Sequence, residues 1–179
     1  MWLCQDVASL QSKWDFYGEL YGKEQNTNLV SELASWSFNI IEESLRNDIT
    51  MAICRLSDPS KLLDKENLSL ETLVKNCANI KGLDILLNDF QKACEPVSKH
   101  RNKQVGHNDL NTVIKPREYP LPGIHKDQID LILNLATKIL NSVIQNYENG
   151  ELNFHTISHG GADTLIFWLK AGKDHHERD

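Results

Sequence analysis

Lys126-Asp127-Gln128-Ile129-Asp130-Leu131-Ile132-Leu133-Asn134-Leu135-Ala136-Thr137-Lys138-Ile139-Leu140-Asn141-Ser142-Val143-Ile144-Gln145-Asn146-Tyr147 is the stretch that decides the fold. Ile129, Ile132, Leu133, Ala136, Ile139, Leu140, Val143, Ile144 and Tyr147 recur at spacings of three and four, so they share one face of a helix. The pattern fills residues 126–148, and Gly150 ends it. Upstream, the same period runs through residues 29–57. Leu29, Leu33, Trp36, Ile40, Leu45, Ile49, Ala52, Ile53 and Leu56 make one apolar stripe, with Asn39, Glu43, Arg46, Asn47 and Thr50 mostly off it. Asp58-Pro59 closes that helix, because the residue before proline is pushed out of the α region.

The remaining segments fall in with this reading. Leu3, Val7, Leu10, Trp14, Tyr17 and Tyr21 mark a first helix over residues 3–21, with Gly22 as its stop. A polar segment, Ser60 to Asn67, precedes Ser69, which has the chemistry of an N-cap for a short helix through Leu70, Leu73 and Cys77. Gly82 punctuates. Leu83, Leu86, Leu87, Phe90, Ala93, Cys94 and Val97 mark the next helix, where Pro96 is expected to kink the chain or mark a restart. That helix runs into Arg101–His107, and Gly106 is placed to stop it in a left-handed conformation. Residues 108–125 form a long connection with Pro116, Pro120, Pro122 and Gly123, and connections of this length are often functional. A short strand is expected at Leu152 to Ile157, then Gly160-Gly161 and an apolar helical piece from Ala162 to Lys170. The charged tail from Lys173 to Asp179 is expected to fray. The sum is an all-α fold of four or five substantial helices packed as a bundle.

Length and composition agree. The 179 residues fit a single domain, 40% hydrophobic content can build a sizeable core, and 25% charged residues suit a soluble surface. A formal net charge of −6 argues against a general nucleic-acid coat protein, but not against an enzyme that grips a few phosphates locally. Cys4, Cys54, Cys77 and Cys94 form no C-x-x-C pair, which disfavours a zinc ribbon or thioredoxin-like site. Cys54 sits in an apolar pattern and reads as a small buried hydrophobe. The start, Met1-Trp2-Leu3-Cys4-Gln5-Asp6, lacks the charge and apolar run of a signal peptide. No run approaches the roughly 20 apolar residues that span a bilayer. A reducing cytoplasm is the simplest expected compartment.

The chemistry is concentrated in Arg101-Asn102-Lys103-Gln104-Val105-Gly106-His107, followed by Asn108-Asp109. An arginine offers a phosphate a planar fork of donors, and a histidine takes or gives a proton near neutral pH. Together on one phosphate they are minimal equipment for cutting RNA without a metal. The bland alternative is a solvated basic helix end that complements the macrodipole. In an ideal α-helix six residues turn through roughly 600°, leaving Arg101 and His107 about 120° apart, so they converge only if the helix breaks first. His100, Lys103 and His107 share a heptad-like stripe, which makes His100 a second candidate for the site. Lys99, Lys103, Lys115 and Arg117 can form a positive rim with Tyr119 for stacking, or simply a solvated loop. Arg55 and Asp58 are three apart on a helical face and can pair with each other. Alternatively Arg55 reaches the site, or Asp58 fixes the orientation of Arg101. Asp109 can orient the His107 imidazole or make an Asx-turn.

The arginine–polar–histidine spacing near the end of a helix in an all-α bundle resembles the HEPN superfamily of nucleotide-binding domains. Arg101-Asn102-Lys103 with His107-Asn108-Asp109 looks like the Abi-U-type branch found in bacterial abortive-infection (phage-resistance) proteins. Arg55-Leu56-Ser57-Asp58-Pro59 and Asn67-Leu68-Ser69-Leu70-Glu71-Thr72-Leu73 resemble two further segments of that branch. The resemblance covers roughly residues 28–148. It implies a HEPN-like four-helix up-and-down bundle with additional N- and C-terminal helical pieces, residues 151–179 being an appendage. It also implies a homodimer with the two motifs facing each other; an antitoxin or regulatory protein is a further expected partner, and, with no spanning run, a membrane is not. Active members are metal-independent endoribonucleases with no cofactor. Carried over, Arg101 binds the scissile phosphate, and His107 is the acid or base for attack by the ribose 2′-hydroxyl. Asn102 orients Arg101 or His107, or hydrogen-bonds the phosphate. Lys103, Arg55, Asp58, Asp109 and His100 complete the expected substrate-binding set. The alternative is a non-catalytic HEPN-type module for dimerisation and nucleotide or protein binding.

Other chemistries rank lower. His155 and His159 have i, i+4 spacing that suits zinc only on a helix, and their segment reads as extended, so no metal site is expected. Gly160-Gly161 lacks the lysine and spacing of a P-loop. No nucleophile-elbow pattern is present.

Overall fold

Helix follows helix along the computed structural model, which describes residues 2–105, 114, 124–148, 150–154 and 160–176. The elements are α1 (Trp2–Tyr21), α2 (Glu24–Ser57), α3 (Leu70–Asn76), α4 (Leu83–His100), a π-helical turn (Arg101–Val105), α5 (Lys126–Tyr147) and α6 (Ala162–His176). The expected all-α class is therefore observed. The only strands among the described residues are β1 (Lys61–Leu62) and β2 (Lys65–Glu66), an antiparallel pair inside the polar segment. No helix among the described residues is long and apolar enough to cross a membrane.

The chain forms two compact units: residues 1–8 with 50–154, and residues 9–49 with 155–179. In the first, α4 packs along α5, and α3 packs on α4. The α5 stripe is buried as its period requires, except for Tyr147, which is exposed in the last turn. Phe90, Val97, Leu83, Leu70, Ile53, Ile132, Ile139 and Leu140 are fully buried. Burial of these side chains, from α2, α3, α4 and α5, at about 1.5–3 kcal/mol each, is what holds this unit together.

α4 does not restart at Pro96, for it runs through that residue from Leu83 to His100. A proline inside a helix removes one N–H bond. Beside it, Gln128 of α5 donates its side-chain amide to the Ala93 carbonyl at 2.8 Å, tying the two helices together one turn earlier. Ser69 is the N-cap of α3, its hydroxyl accepting from the Thr72 N–H at 3.4 Å. Gly82 opens α4 in a left-handed conformation (φ 84°), which a side chain would strain. The strand expected from Leu152 is not seen over the described residues 152–154. There the chain is tied to Asn141 instead, which donates to the Leu152 carbonyl at 3.0 Å and accepts from its N–H at 2.8 Å. One buried amide takes both bonds that a neighbouring strand would have made.

In the second unit, Leu20, Leu29, Val30, Phe38, Ala162 and Ile166 form a core. The single stripe expected over residues 29–57 is not continuous. Ala34 leaves helical geometry (φ −159°, ψ 61°), and this breaks the phase of α2. Beyond it Trp36 and Ile40 lie exposed while Phe38 turns inward, and Leu33, just before it, is exposed as well. α6 is longer than the expected helical piece. Its Lys173 pairs with Glu32 at 2.7 Å, so the charged segment is helical to His176.

Candidate functional site

The site is built where two helices of the first unit end. α2 stops at Ser57 because Pro59 forces Asp58 out of the helix. The last turn is fastened from within, Ser57 Oγ donating to the Cys54 carbonyl at 3.1 Å. α4 ends at His100, and the Arg101 N–H still bonds back to the Val97 and Ser98 carbonyls. From Arg101 to Val105 the chain follows a π-helical turn. Such widened turns are rare overall but frequent at functional sites. The α-helical angle assumed for Arg101 onward does not apply there. Its i→i+5 bonding turns each residue through less than the α-helical 100°.

The two ends meet through one ion pair. Arg101 Nη2 lies 3.8 Å from Asp58 Oδ1, with both side chains about one-third exposed. Asp58 therefore pairs with Arg101 and not with Arg55, which is exposed one turn back on α2. This corrects the Arg55–Asp58 pairing and puts the Asp58 carboxylate beside Arg101. At 3.8 Å the contact is too long for a charge-assisted hydrogen bond, which needs about 2.7–2.9 Å. Asp58 attracts the guanidinium without taking up its N–H donors. The Nε atom is shielded from solvent and has no hydrogen-bond partner among the described residues. The part of the guanidinium that reaches solvent, and not the shielded Nε, is restrained by one carboxylate and is suited to receive an anion.

Beneath this pair the helices are dry. Cys54 and Cys94 are buried, and Cys54 Sγ lies 3.9 Å from Ser98 Oγ, joining α2 to α4 one turn before Arg101. Burial pushes the Cys94 thiol up to about 12. It is a packing group, as Cys54 is by its burial, and not a nucleophile.

A second set of contacts holds the Asp58 turn from the other side. Asn67 donates its amide to the Pro59 carbonyl at 2.8 Å, and the Asn67 N–H bonds the Ser60 carbonyl at 2.9 Å. Glu71 of α3 accepts from the Ser60 N–H at 3.2 Å and from its hydroxyl at 3.3 Å. Lys75, one turn along α3, forms an ion pair with Glu71 and bonds Ser60 Oγ at 2.6 Å. The Lys75 hydrogen bond, with help from the Ser60 N–H, holds the Glu71 carboxyl below its usual range, against an opposing push from burial. Sequence reading named the Asn67–Leu73 segment but gave Glu71 and Lys75 no role. Their i, i+4 spacing is the visible signal. That both also reach Ser60, far back in the chain, is not.

Of the expected site residues, the structure brings Arg101 and Asp58 together and leaves Arg55 and Asn102 exposed. Lys103 is half-buried in the π-helical turn, and His100 is half-buried at the end of α4. His107, Asn108 and Asp109 lie outside the described residues, as do Gly106, Lys115, Arg117 and Tyr119. So do His155 and His159; among the described residues no cluster of His, Cys, Asp or Glu could hold a metal ion.

An arginine at the end of a helix, with a histidine a few residues on in the sequence, is the motif of a class, the HEPN domains. A family model described as AbiU2, of HEPN type, matches residues 3–164. The chain belongs to this abortive-infection HEPN family, as the Arg101–Asp109 and Arg55–Pro59 motifs led one to expect. No curated protein and no solved structure matches it.

Proposed function

We propose that the protein is a metal-independent endoribonuclease of an abortive-infection system, with Arg101 as its phosphate-binding residue. The observation that carries this reading is the Arg101–Asp58 arrangement: a guanidinium restrained by one carboxylate, with donors to spare, at a π-helical turn leading toward His107. In-line attack by a ribose 2′-hydroxyl on the adjacent phosphate forms a bond from O2′ to phosphorus and breaks the bond to O5′. The proton leaves O2′ for a base, and the departing O5′ receives a proton from an acid. The products are a 2′,3′-cyclic phosphate and a 5′-hydroxyl. Negative charge builds on the non-bridging oxygens, and a fixed guanidinium stabilises it. His107 supplies the proton carrier in this reading, and Asn102, the exposed neighbour of Arg101, meets the phosphate or the imidazole. Lys103 adds positive charge. An overall acidic protein accommodates this, since only the site must be positive.

The substrate is RNA, and a homodimer with two facing motifs, a cytoplasmic location and a regulatory protein partner belong to the same proposal. The test compares wild type with Arg101→Ala, Arg101→Lys and His107→Ala on end-labelled RNA. Loss of cutting in all three, with each variant folded, is the expected result. The lysine keeps the charge but loses the fork. Equal cutting by Arg101→Ala would overturn the assignment.

A further inference from the structure

Asp58 can orient Arg101 only if its own backbone is fixed. It lies outside α2, where helix hydrogen bonding no longer holds it, and it is half-exposed. Proline at position 59 restricts φ there but leaves the direction of the following chain open. That direction is set by α3. Glu71 takes both the N–H and the hydroxyl of Ser60, Lys75 takes the hydroxyl from the other side, and Asn67 takes the Pro59 carbonyl. α3 is itself fixed, with Leu70 fully buried and Ser69 capping its start. An unbroken line of contacts thus runs from the core through Glu71, Ser60 and Pro59 to Asp58, and from Asp58 to Arg101.

We propose that Glu71 is a positioning residue for Arg101, acting through the Ser60–Asp58 turn. The inference rests on the reading of Arg101 as the phosphate-binding group, but the mechanical link can be measured without it. Glu71 touches neither Arg101 nor an RNA phosphate in this scheme. It fixes the carboxylate that fixes the guanidinium. The geometry of a bound phosphate is sensitive to such remote supports, since a displacement of about 1 Å can cost on the order of 100-fold in rate.

The experiment is a double-mutant cycle on the full chain with Glu71→Ala, Asp58→Asn and the pair. Two readouts are taken: the ¹⁵N–¹H signal of the Arg101 side chain, and the kcat and KM for RNA cleavage. Glu71→Ala is expected to move the Arg101 signal as Asp58→Asn does, and to lower kcat by about 10-fold or more with a smaller change in KM. In the Asp58→Asn background it is expected to add nothing to either. Asn67→Ala cuts the same brace from its exposed side and is read in the same way should Glu71→Ala fail to fold. An Arg101 signal that these variants leave in place, or effects that simply add to those of Asp58→Asn, would overturn the proposal. If wild type cuts no RNA, the ribonuclease reading fails, and the Arg101 signal still decides whether Glu71 governs it.

Discussion

Arg101 Nη2 lies 3.8 Å from Asp58 Oδ1, so the ends of two helices far apart in sequence share one partly exposed ion pair. Exposed pairs of this kind are worth about 0–1 kcal/mol. Stability is therefore a poor explanation for it. Asp58→Asn is expected to lower unfolding stability by less than about 1 kcal/mol in urea titration while slowing RNA cleavage at least about 10-fold. A loss of several kcal/mol with unchanged specific activity would make the pair structural.

The Glu71 brace has a pH signature. Lys75 and the Ser60 N–H hold the carboxyl below its usual range in the folded state. A depressed acid contributes stability that is fully present above the unfolded pKa and is lost as pH falls through the folded one. Wild type is expected to be more stable than Glu71→Gln near neutrality, with the gap closing once pH drops below about 4.3. Denaturation midpoints of both proteins from pH 7 to pH 3 check this. A gap that stays constant over the range would assign the effect to shape and not to charge.

Gly82 opens α4 at φ 84° in otherwise open space. The penalty for a side chain there is conformational, about 1–2 kcal/mol. Gly82→Ala is expected to lower the thermal midpoint accordingly, with catalytic constants unchanged for the folded fraction. An alanine as stable as wild type would mean that the chain finds another way into α4.

Cys94 is buried with its thiol pushed up to about 12, so almost no thiolate exists at neutral pH. Native protein treated with iodoacetamide at pH 8 is expected to stay unmodified at Cys94 and to react there only after denaturant is added. Peptide mass spectrometry reads this directly. Rapid native alkylation would place that thiol in an open environment.

Local sequence was sufficient where an element depends on residues close together in the chain. The α5 stripe, the Ser69 cap and the Asp58–Pro59 stop all depend on residues within a few positions of each other, and each is legible. The all-α class followed from them, and the family from the motifs. What failed was continuity. A three-to-four spacing runs on past Ala34 to Ile40, yet after that one residue outside helical geometry Trp36 and Ile40 lie at the surface and Phe38 is the buried one. At Pro96 the opposite holds: the chain does not restart, because α4 carries on past the one N–H bond a proline removes. At the site, both Asp58 and Arg101 could be named in advance, but their pairing could only be held as one of several options. The choice between Arg55 and Arg101 as partner depends on how α2 and α4 pack, and no local pattern carries that.

The most direct test of the central claim is the chemistry of the cut ends. Purified protein is incubated with end-labelled RNA in excess chelator, alongside Arg101→Ala and His107→Ala, and the product termini are identified. The account expects cutting by wild type alone, leaving 2′,3′-cyclic phosphates and 5′-hydroxyls. Cutting that survives Arg101→Ala, or that requires an added metal ion, would contradict it.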